Sequence, residues 1–202
     1  MAKVLVYYAH PGNQYSRVNK AMSKQAKALS EITFVDLYAE YPRFNIDVEQ
    51  EQKRLLAHDV IVFQFPMFWY STPALIKEWL DLVLEYGFAY GKNGTNLKGK
   101  TMMLAVTAAG SAEAYSTDGH HQQSMRTFLT PLEQTANLCQ MQFIPPYVLY
   151  ASLSHAEPAR VQSHAAAYKA LLLALFHDQF DVEAAKARDV LGFDDLPIKG
   201  GQ

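Results

Sequence analysis

Hydrophobic positions along the chain fall into short, dense runs that are separated by longer amphipathic stretches. The dense runs predict five strands, over residues 4–8, 32–37, 60–63, 100–107 and 143–150. The run at 60–63 is apolar throughout and rich in β-branched residues, which is typical of a strand buried on both faces of a parallel sheet. The stretches between the runs carry apolar residues at helical spacing. They predict helices over 16–29 and 48–58, after Pro73, near 122–129, from a new start at Thr130 and after Ser154.

Strands that alternate with helices in this way indicate a doubly wound α/β fold, with a five-stranded parallel sheet and helices on both faces. The G-x-G-x-x-G fingerprint of dinucleotide-binding sheets does not follow the first strand, so we predict the flavodoxin-like strand order 2-1-3-4-5. Pro145 and Pro146 should shorten the fifth strand or place it at an edge. We expect one domain over residues 1–180 and a C-terminal tail of unknown role over 181–202, with one more helix within 181–191.

The composition narrows the classes of function. The net charge of −2 offers no general attraction to nucleic acid or to an anionic membrane. Cys139 is the only cysteine, which excludes an internal disulfide and a cysteine metal cluster, and the neighbours His120 and His121 lack further metal ligands. The N-terminal residues have the pattern of a strand and not of a signal peptide, and no apolar run approaches the ~18 residues of a membrane span. We therefore expect a cytoplasmic protein without a metal site.

The loop after the third strand is the most unusual stretch of the sequence. Pro66 ends the strand, and four large residues, Met67–Tyr70, follow it directly. A helix should then begin with Thr72 as its N-cap and Pro73 at its first position. Open α/β sheets bind ligands at the carboxyl ends of their strands, so a run of aromatic residues there suggests a flat ligand. The alternative is that the four residues belong to an ordinary core beneath a lid.

The loops after the first and fourth strands should lie at the same edge of the sheet. The first loop leads into a helix N-terminus, where free N–H groups and the helix dipole favour a phosphate. Ser16 and Asn19 could add donors there, and His10 a donor or a positive charge. Alternatively, Ser16 only caps the helix and His10 only fills a turn. The loop Thr107–Tyr115 is rich in small residues that let backbone approach a ligand, although such residues are also common in plain turns.

Tyr115 and His121 lie six residues apart in or beside the loop after the fourth strand. Both side chains can donate a proton. The loop after the third strand offers backbone N–H groups close to aromatic faces, which is the combination that a flavin needs. Reduction of a quinone by hydride transfer from a flavin leaves an oxyanion that needs a proton or a hydrogen bond, and a tyrosine–histidine pair nearby would supply one. The alternative for either residue is a surface position, which is the interpretation that we prefer for His120.

Several motifs resemble those of the flavodoxin-like NAD(P)H:quinone oxidoreductases. Within that family the likeness is to the small bacterial FMN proteins that include the ancillary subunit of glutathione-gated potassium efflux. The motifs are Tyr8–Pro11 with Ser16 and Asn19, Gln64–Tyr70 with Pro73 and Lys77–Asp81, Gly87–Gly91, and Thr107–Gly110. Residues 38–47 also resemble the efflux-associated members, and the whole resemblance covers roughly residues 3–175.

The resemblance implies a role for each matching residue. It places His10, Ser16, Arg17, Val18 and Asn19 around the FMN phosphate and ribityl chain, Pro66, Met67, Phe68, Trp69 and Tyr70 along the isoalloxazine, and Thr107, Ala108, Ala109, Gly110 and Tyr115 on its other side. Tyr115 and His121 match the pair that assists hydride transfer to the quinone. Members of the family are homodimers with the active site at the interface, and residues 87–91 would then help to build the pocket.

The sequence departs from the family pattern at a few positions. Ala108 and Ala109 replace a threonine and a glycine, so Ala109 needs a negative φ or accepts some strain. Phe68 stands where glutamine or tryptophan is common. The chain lacks the long C-terminal extension of the FAD-type animal enzymes, which favours FMN over FAD.

The resemblance therefore implies an FMN-dependent NAD(P)H:quinone oxidoreductase that reduces quinones or similar flat acceptors by two electrons in a ping-pong cycle. The sequence does not choose between NADH and NADPH, because no clamp for a 2′-phosphate is legible. The alternative is a regulatory ancillary subunit of a potassium-efflux transporter, which would bring the protein to the inner membrane through its partner. A one-electron flavodoxin fits less well, because such carriers are usually strongly acidic.

Overall fold

The computed structural model describes residues 1–153 and 157–200, and its centre is a parallel sheet. The strands are β1 (Val4–Tyr8), β2 (Ile32–Asp36), β3 (Val60–Pro66), β4 (Thr101–Thr107), β5 (Gln142–Phe143) and β6 (Tyr147–Leu149). Their order is β2-β1-β3-β4-β5, and β6 pairs with β4 further along the same side. The predicted fold class and strand order are confirmed.

Helices cover both faces of this sheet. Their bounds are α1 (Val18–Lys27), α2 (Leu37–Glu40), α3 (Val48–Ala57), α4 (Ala74–Val83), α5 (Met125–Leu138), α6 (Pro158–Phe176) and α7 (Val182–Lys186). Because side chains alternate along a strand, Val4 and Val6 of β1 pack toward α1 and α6, whereas Leu5 and Tyr7 pack toward α3, α4 and α5. Every residue of β3 is buried, as expected for a central parallel strand. Among the described residues, no helix has the length and apolar character needed to cross a bilayer.

The predicted fifth strand is broken into two short pieces. The residues between them include Pro145 and Pro146, which cannot donate hydrogen bonds to the sheet. The Ile144 N–H still donates to the Met102 oxygen at 2.9 Å, so the chain keeps its place beside β4. β5 and β6 therefore act as one interrupted edge strand.

The predicted helix start at Thr130 is wrong, because α5 runs without a break through Pro131. Apolar residues continue at helical spacing on both sides of the proline, and burial of this face offsets the missing hydrogen bond. These residues are Met125, Leu129, Leu132 and Ala136.

Other element ends also differ from expectation. Pro73, and not Thr72, holds the N-cap position of α4. The sequence predicts no helix directly after the second strand, but the short helix α2 lies there, and its N-cap Asp36 accepts the Ala39 N–H at 3.3 Å. The first positions of the helix predicted after Ser154 lie outside the described residues, which resume at residue 157, and α6 begins at Pro158.

A buried carboxylate organises the α3–α4 face. Glu51 is fully buried and accepts hydrogen bonds from the Tyr7 hydroxyl, from the Tyr41 hydroxyl at 2.6 Å and from Trp79 Nε1 at 3.1 Å. Arg54 pairs with the same carboxylate. Burial and the neighbouring Glu51 raise the pKa of Tyr7, so its hydroxyl remains a donor. We call these five residues the Glu51 cluster.

The tail after α6 packs against the sheet. Phe180, Ala185 and Leu191 are buried, and α7 is the helical part of the region in which a further helix was predicted. Leu191 forms a parallel bridge with Tyr147 of β6. The tail therefore extends the sheet by one bridge beyond β6.

Candidate functional site

Two adjoining cavities open at the carboxyl ends of β1, β3 and β4, where ligands bind in sheets of this kind. The first has a volume of about 600 Å³, and its lining includes His10, Ser16, Arg17, Val18, Asn19, Pro66, Met67, Phe68, Thr107 and Ala109. The second has a volume of about 410 Å³ and is lined by Met67, Trp69, Tyr70, Ala109, Gly110, Tyr115 and His121. Because Met67 and Ala109 line both, the two cavities share a wall. All but one of the site residues predicted from the sequence therefore lie at one place.

The exception is Ala108, which lines neither cavity. It is fully buried, its N–H donates to the Leu149 oxygen and its oxygen accepts the Ser152 N–H, both at 2.9 Å. Ala108 thus joins the loop after β4 to the chain after β6. Its neighbour Ala109 keeps φ outside the positive region, so the strain considered for this position does not arise.

The N-terminus of α1 forms one end of the first cavity. Arg17 holds the N-cap position of α1, and the preceding Ser16 accepts the Asn19 N–H through Oγ at 3.2 Å, which is the hydrogen bond expected of a capping side chain. The first amides of a helix have no acceptor within it, and its dipole favours an anion. Asn19 is buried and donates from Nδ2 to Thr107 Oγ1 at 2.6 Å, and Gln64 Nε2 contacts Asn19 Oδ1 at 3.3 Å. These contacts join the helix start to the ends of β3 and β4.

His10 lies at the mouth of the first cavity and is a donor rather than a positive charge. Its Nδ1 accepts the Gly12 N–H at 3.2 Å, which leaves the proton of the neutral ring on Nε2. Burial lowers the pKa of His10. The edge of the ring contacts Phe68, with 5.7 Å between ring centroids. Of the two roles suggested by the sequence, the structure therefore favours hydrogen-bond donation.

The aromatic loop after β3 is a tight hairpin. Phe68 and Ser71 exchange two backbone hydrogen bonds of 3.0 Å, and the turn residues Trp69 and Tyr70 have φ of 46° and 63°. A two-residue hairpin of type I′ needs positive φ at both turn positions, where glycine or asparagine is preferred. Trp69 is 94% exposed, so packing within this chain does not explain its presence. Backbone strain at an exposed aromatic turn is typical of a functional site.

The strain at this turn can be measured. We expect Trp69→Gly to be more stable to unfolding than Trp69→Ala by about 1 kcal/mol, because glycine adopts positive φ without steric cost. Both variants lack the indole, so the comparison isolates the backbone. Urea unfolding followed by circular dichroism provides the measurement. Equal stability of the two variants would show that the turn is not strained.

Tyr115 and His121 form a contact pair at the second cavity. Their ring centroids are 4.3 Å apart, and Tyr70 Oη lies 3.5 Å from His121 Nδ1. The backbone N–H of His121 donates to the backbone oxygen of Ala114 at 2.9 Å, which closes the intervening loop. Burial raises the pKa of Tyr115, so its hydroxyl stays protonated at neutral pH. A Cβ added to Gly110 would lie 3.1 Å from the Tyr115 ring, so this glycine leaves room for the pair.

The first cavity also has lining residues that the sequence analysis did not single out, namely Gly12, Tyr15, Ser152 and Leu153. Ser152 and Leu153 follow β6, whose carboxyl end reaches the same edge of the sheet. The rule that ligands bind at the carboxyl ends of parallel strands could have identified this loop. His120 lines neither cavity and is exposed, which agrees with the surface position preferred for it in the sequence analysis. The described residues contain no group of three metal-ligating side chains.

Comparison with known sequences gives the class of protein. Residues 2–172 match the family described as "Flavodoxin-like fold", and the chain belongs to this family. It is 45% identical over 167 residues to the glutathione-regulated potassium-efflux system ancillary protein KefG of Enterobacter sp. (strain 638), covering 83% of this chain and 91% of that protein. It is also 45% identical over 151 residues to the uncharacterized NAD(P)H oxidoreductase YrkL of Bacillus subtilis (strain 168), covering 75% and 87%.

Solved structures show the same relationship. General stress protein 14 of Treponema denticola, in complex with FMN, superposes with a TM-score of 0.81 at 40% identity, covering 86% of this chain and 99% of that chain. An NADPH-quinone reductase from P. pentosaceus superposes with a TM-score of 0.76 at 29% identity, covering 84% and 96%. The family resemblance drawn from the motifs is thereby confirmed.

Proposed function

We propose that the protein is an FMN-dependent NAD(P)H:quinone oxidoreductase. The observation that carries the proposal is the pair of adjoining cavities, one at a helix N-terminus and the other beside Tyr115 and His121. An FMN-bound relative, an NADPH-quinone reductase and an NAD(P)H oxidoreductase among the similar proteins support it.

The residues present fit FMN. The cavities, at about 600 and 410 Å³, lie within the ~300–1,000 Å³ common for cofactor sites. The phosphate would be held by the first amides of α1, Ser16 and His10 Nε2, with Arg17 at the same cavity. Met67, Phe68 and Ala109 offer apolar walls to the ring. The chemistry that bound FMN would provide is the uptake of a hydride from NAD(P)H and its transfer to the acceptor. We favour FMN over FAD as the cofactor.

The remaining chemistry belongs to side chains of this protein. NAD(P)H and the quinone would occupy the second cavity in turn, which gives a ping-pong cycle. Trp69 and Tyr70 would position each flat substrate. Tyr115, protonated at neutral pH, and His121 would donate hydrogen bonds or a proton to the oxyanion of the reduced acceptor.

Absorbance of the purified protein tests this function. We expect bound flavin with visible bands that bleach on addition of NADPH or NADH and return on addition of 1,4-benzoquinone, because donor and acceptor share one cavity. Protein without flavin, even after incubation with FMN, would contradict the cofactor assignment. Flavin that neither nucleotide bleaches would contradict the enzyme and leave an electron carrier or a regulatory subunit.

A second role is compatible with the first. The 45% identity to the potassium-efflux ancillary protein, over 91% of that protein, favours a regulatory subunit that docks on a membrane transporter and thereby lies at the membrane surface. Co-purification with a potassium-efflux transporter from membranes would support this role. Unaltered efflux when the gene is deleted would exclude it.

We also propose a homodimer with the site at its interface. Large apolar side chains stand exposed around the cavities, including Trp69 at 94%, Tyr15 at 84% and Leu153 at 68%. Such a patch is typical of an interaction surface. Light scattering coupled to size exclusion should give twice the chain mass of 22.7 kDa, and the single mass would refute the dimer.

A further inference from the structure

The segment 187–192 lies beyond the part of the chain that the family model matches. The family match ends at residue 172, and the superposition on the Treponema denticola protein uses 99% of that chain but only 86% of this one. The segment nevertheless belongs to the sheet. The Leu191 N–H donates to the Pro146 oxygen at 2.8 Å, and the Val148 N–H donates to the Leu191 oxygen at 3.0 Å. It therefore pairs with the outer edge of β6, which would otherwise be open.

The same segment is attached to the start of α5. Arg126 Nη1 donates to the Arg188 oxygen at 3.2 Å. Arg126 is itself fixed by two hydrogen bonds to Glu133, of 3.0 and 2.7 Å, which is the bidentate geometry of a strong pair. Asp189 adds a negative charge that acts on Arg126 and on Tyr150. Segment 187–192 therefore links α5 to the end of β6.

These two elements form the walls around Tyr115. Tyr150 directly follows β6, and its ring centroid lies 5.8 Å from that of Tyr115. Phe128 of α5 packs at 5.9 Å on the same ring. Val190 packs against the hydrophobic core that contains Tyr115. A change in the spacing between β6 and α5 would thus move Tyr115 relative to His121.

We propose that segment 187–192 is a positioning element for the Tyr115–His121 pair, because it fixes the distance between β6 and α5 and so holds Tyr150 and Phe128 against Tyr115. The catalytic consequence rests on the proposed function. The positional effect does not, since it concerns only side chains of this chain.

The test compares Val190→Ala with Val182→Ala, a matched control in the same tail whose side chain packs on the opposite core. In flavin-free protein, the NMR signal of the His121 ring should shift in V190A and not in V182A. In FMN-loaded protein, V190A should slow the return of absorbance after quinone addition about tenfold, because small displacements of catalytic groups are costly. FMN affinity should stay within about twofold of the native value, since V190A changes none of the residues that line the first cavity.

A second variant tests the proposal independently, in case V190A does not fold. Arg126→Gln removes the hydrogen bond to the Arg188 oxygen together with the pair to Glu133 that fixes Arg126, and it should change the His121 signal and the quinone rate in the same direction as V190A. An unchanged His121 signal in both V190A and R126Q would overturn the proposal. So would equal effects of V190A and V182A, which would indicate a general loss of stability. If the native protein shows no turnover with quinone, the proposed function fails, while the NMR comparison still decides the positioning role.

Discussion

Replacement of Glu51 by alanine should lower the free energy of unfolding by about 3–5 kcal/mol, the range seen when one partner of a buried charged network is removed. The substitution leaves the hydroxyls of Tyr7 and Tyr41 and the indole N–H of Trp79 without their acceptor inside the protein. Each buried donor without a partner costs about 1–3 kcal/mol. Arg54 would also lose its closest carboxylate. For a chain of 202 residues this loss corresponds to a fall in Tm of about 10 °C.

Two variants of α3 are the controls for this prediction. Glu51→Gln keeps the volume and one carbonyl acceptor, so we expect a smaller loss, about 1–3 kcal/mol. Glu49→Ala removes an exposed carboxylate whose pairing with Lys53 at 3.5 Å is open to solvent, and it should change stability by less than about 0.5 kcal/mol. Denaturant unfolding followed by circular dichroism gives all three values. Similar losses for E49A and E51A would show that the Glu51 cluster does not stabilise the fold.

The fold was predictable because its elements depend on local patterns. A β-branched run such as 60–63 has few alternatives to a buried parallel strand, and the alternation of strands with helices limits the topology. The misjudged positions are those where tertiary packing overrides a local signal. Pro131 normally ends a helix, yet the apolar face of α5 continues across it. Glu51 looks like one more acid on a polar helix, because the donors that surround it come from distant parts of the chain.

The location of the candidate site was also predictable, whereas its geometry was not. Loops after β1, β3 and β4 must meet at one edge, so His10, Trp69 and Tyr115 could be grouped from their order alone. The left-handed backbone at Trp69 and Tyr70 could not be predicted from the sequence, since tryptophan and tyrosine have no preference for positive φ. The burial of Ala108 away from both cavities could not be predicted either, because it depends on backbone hydrogen bonds to Leu149 and Ser152, which are distant in the sequence.

Removal of the two proposed proton donors, Tyr115 and His121, should have the largest effect on activity. We expect His121→Gln to slow quinone reduction about 100-fold, which is the lower range for loss of general acid catalysis. Tyr115→Phe keeps the ring that packs on Tyr150 and Phe128, so its loss of rate reports the hydroxyl alone. Because burial raises the pKa of Tyr115, this donor should be lost only above the ordinary tyrosine value of about 10. Stopped-flow absorbance during the quinone step measures these rates.

The matched control is His120→Gln, which changes the neighbouring exposed histidine outside both cavities and should leave the rate within about twofold of the native value. The ring centroids of Tyr115 and His121 are only 4.3 Å apart, so the two substitutions should not act independently. The fold-reduction of the rate in the double variant should therefore be smaller than the product of the two single fold-reductions. Strict multiplication of the two losses would mean that the residues act independently. Equal rates for H120Q and H121Q would remove His121 from the reaction and leave Tyr115 as the sole donor to the acceptor oxygen.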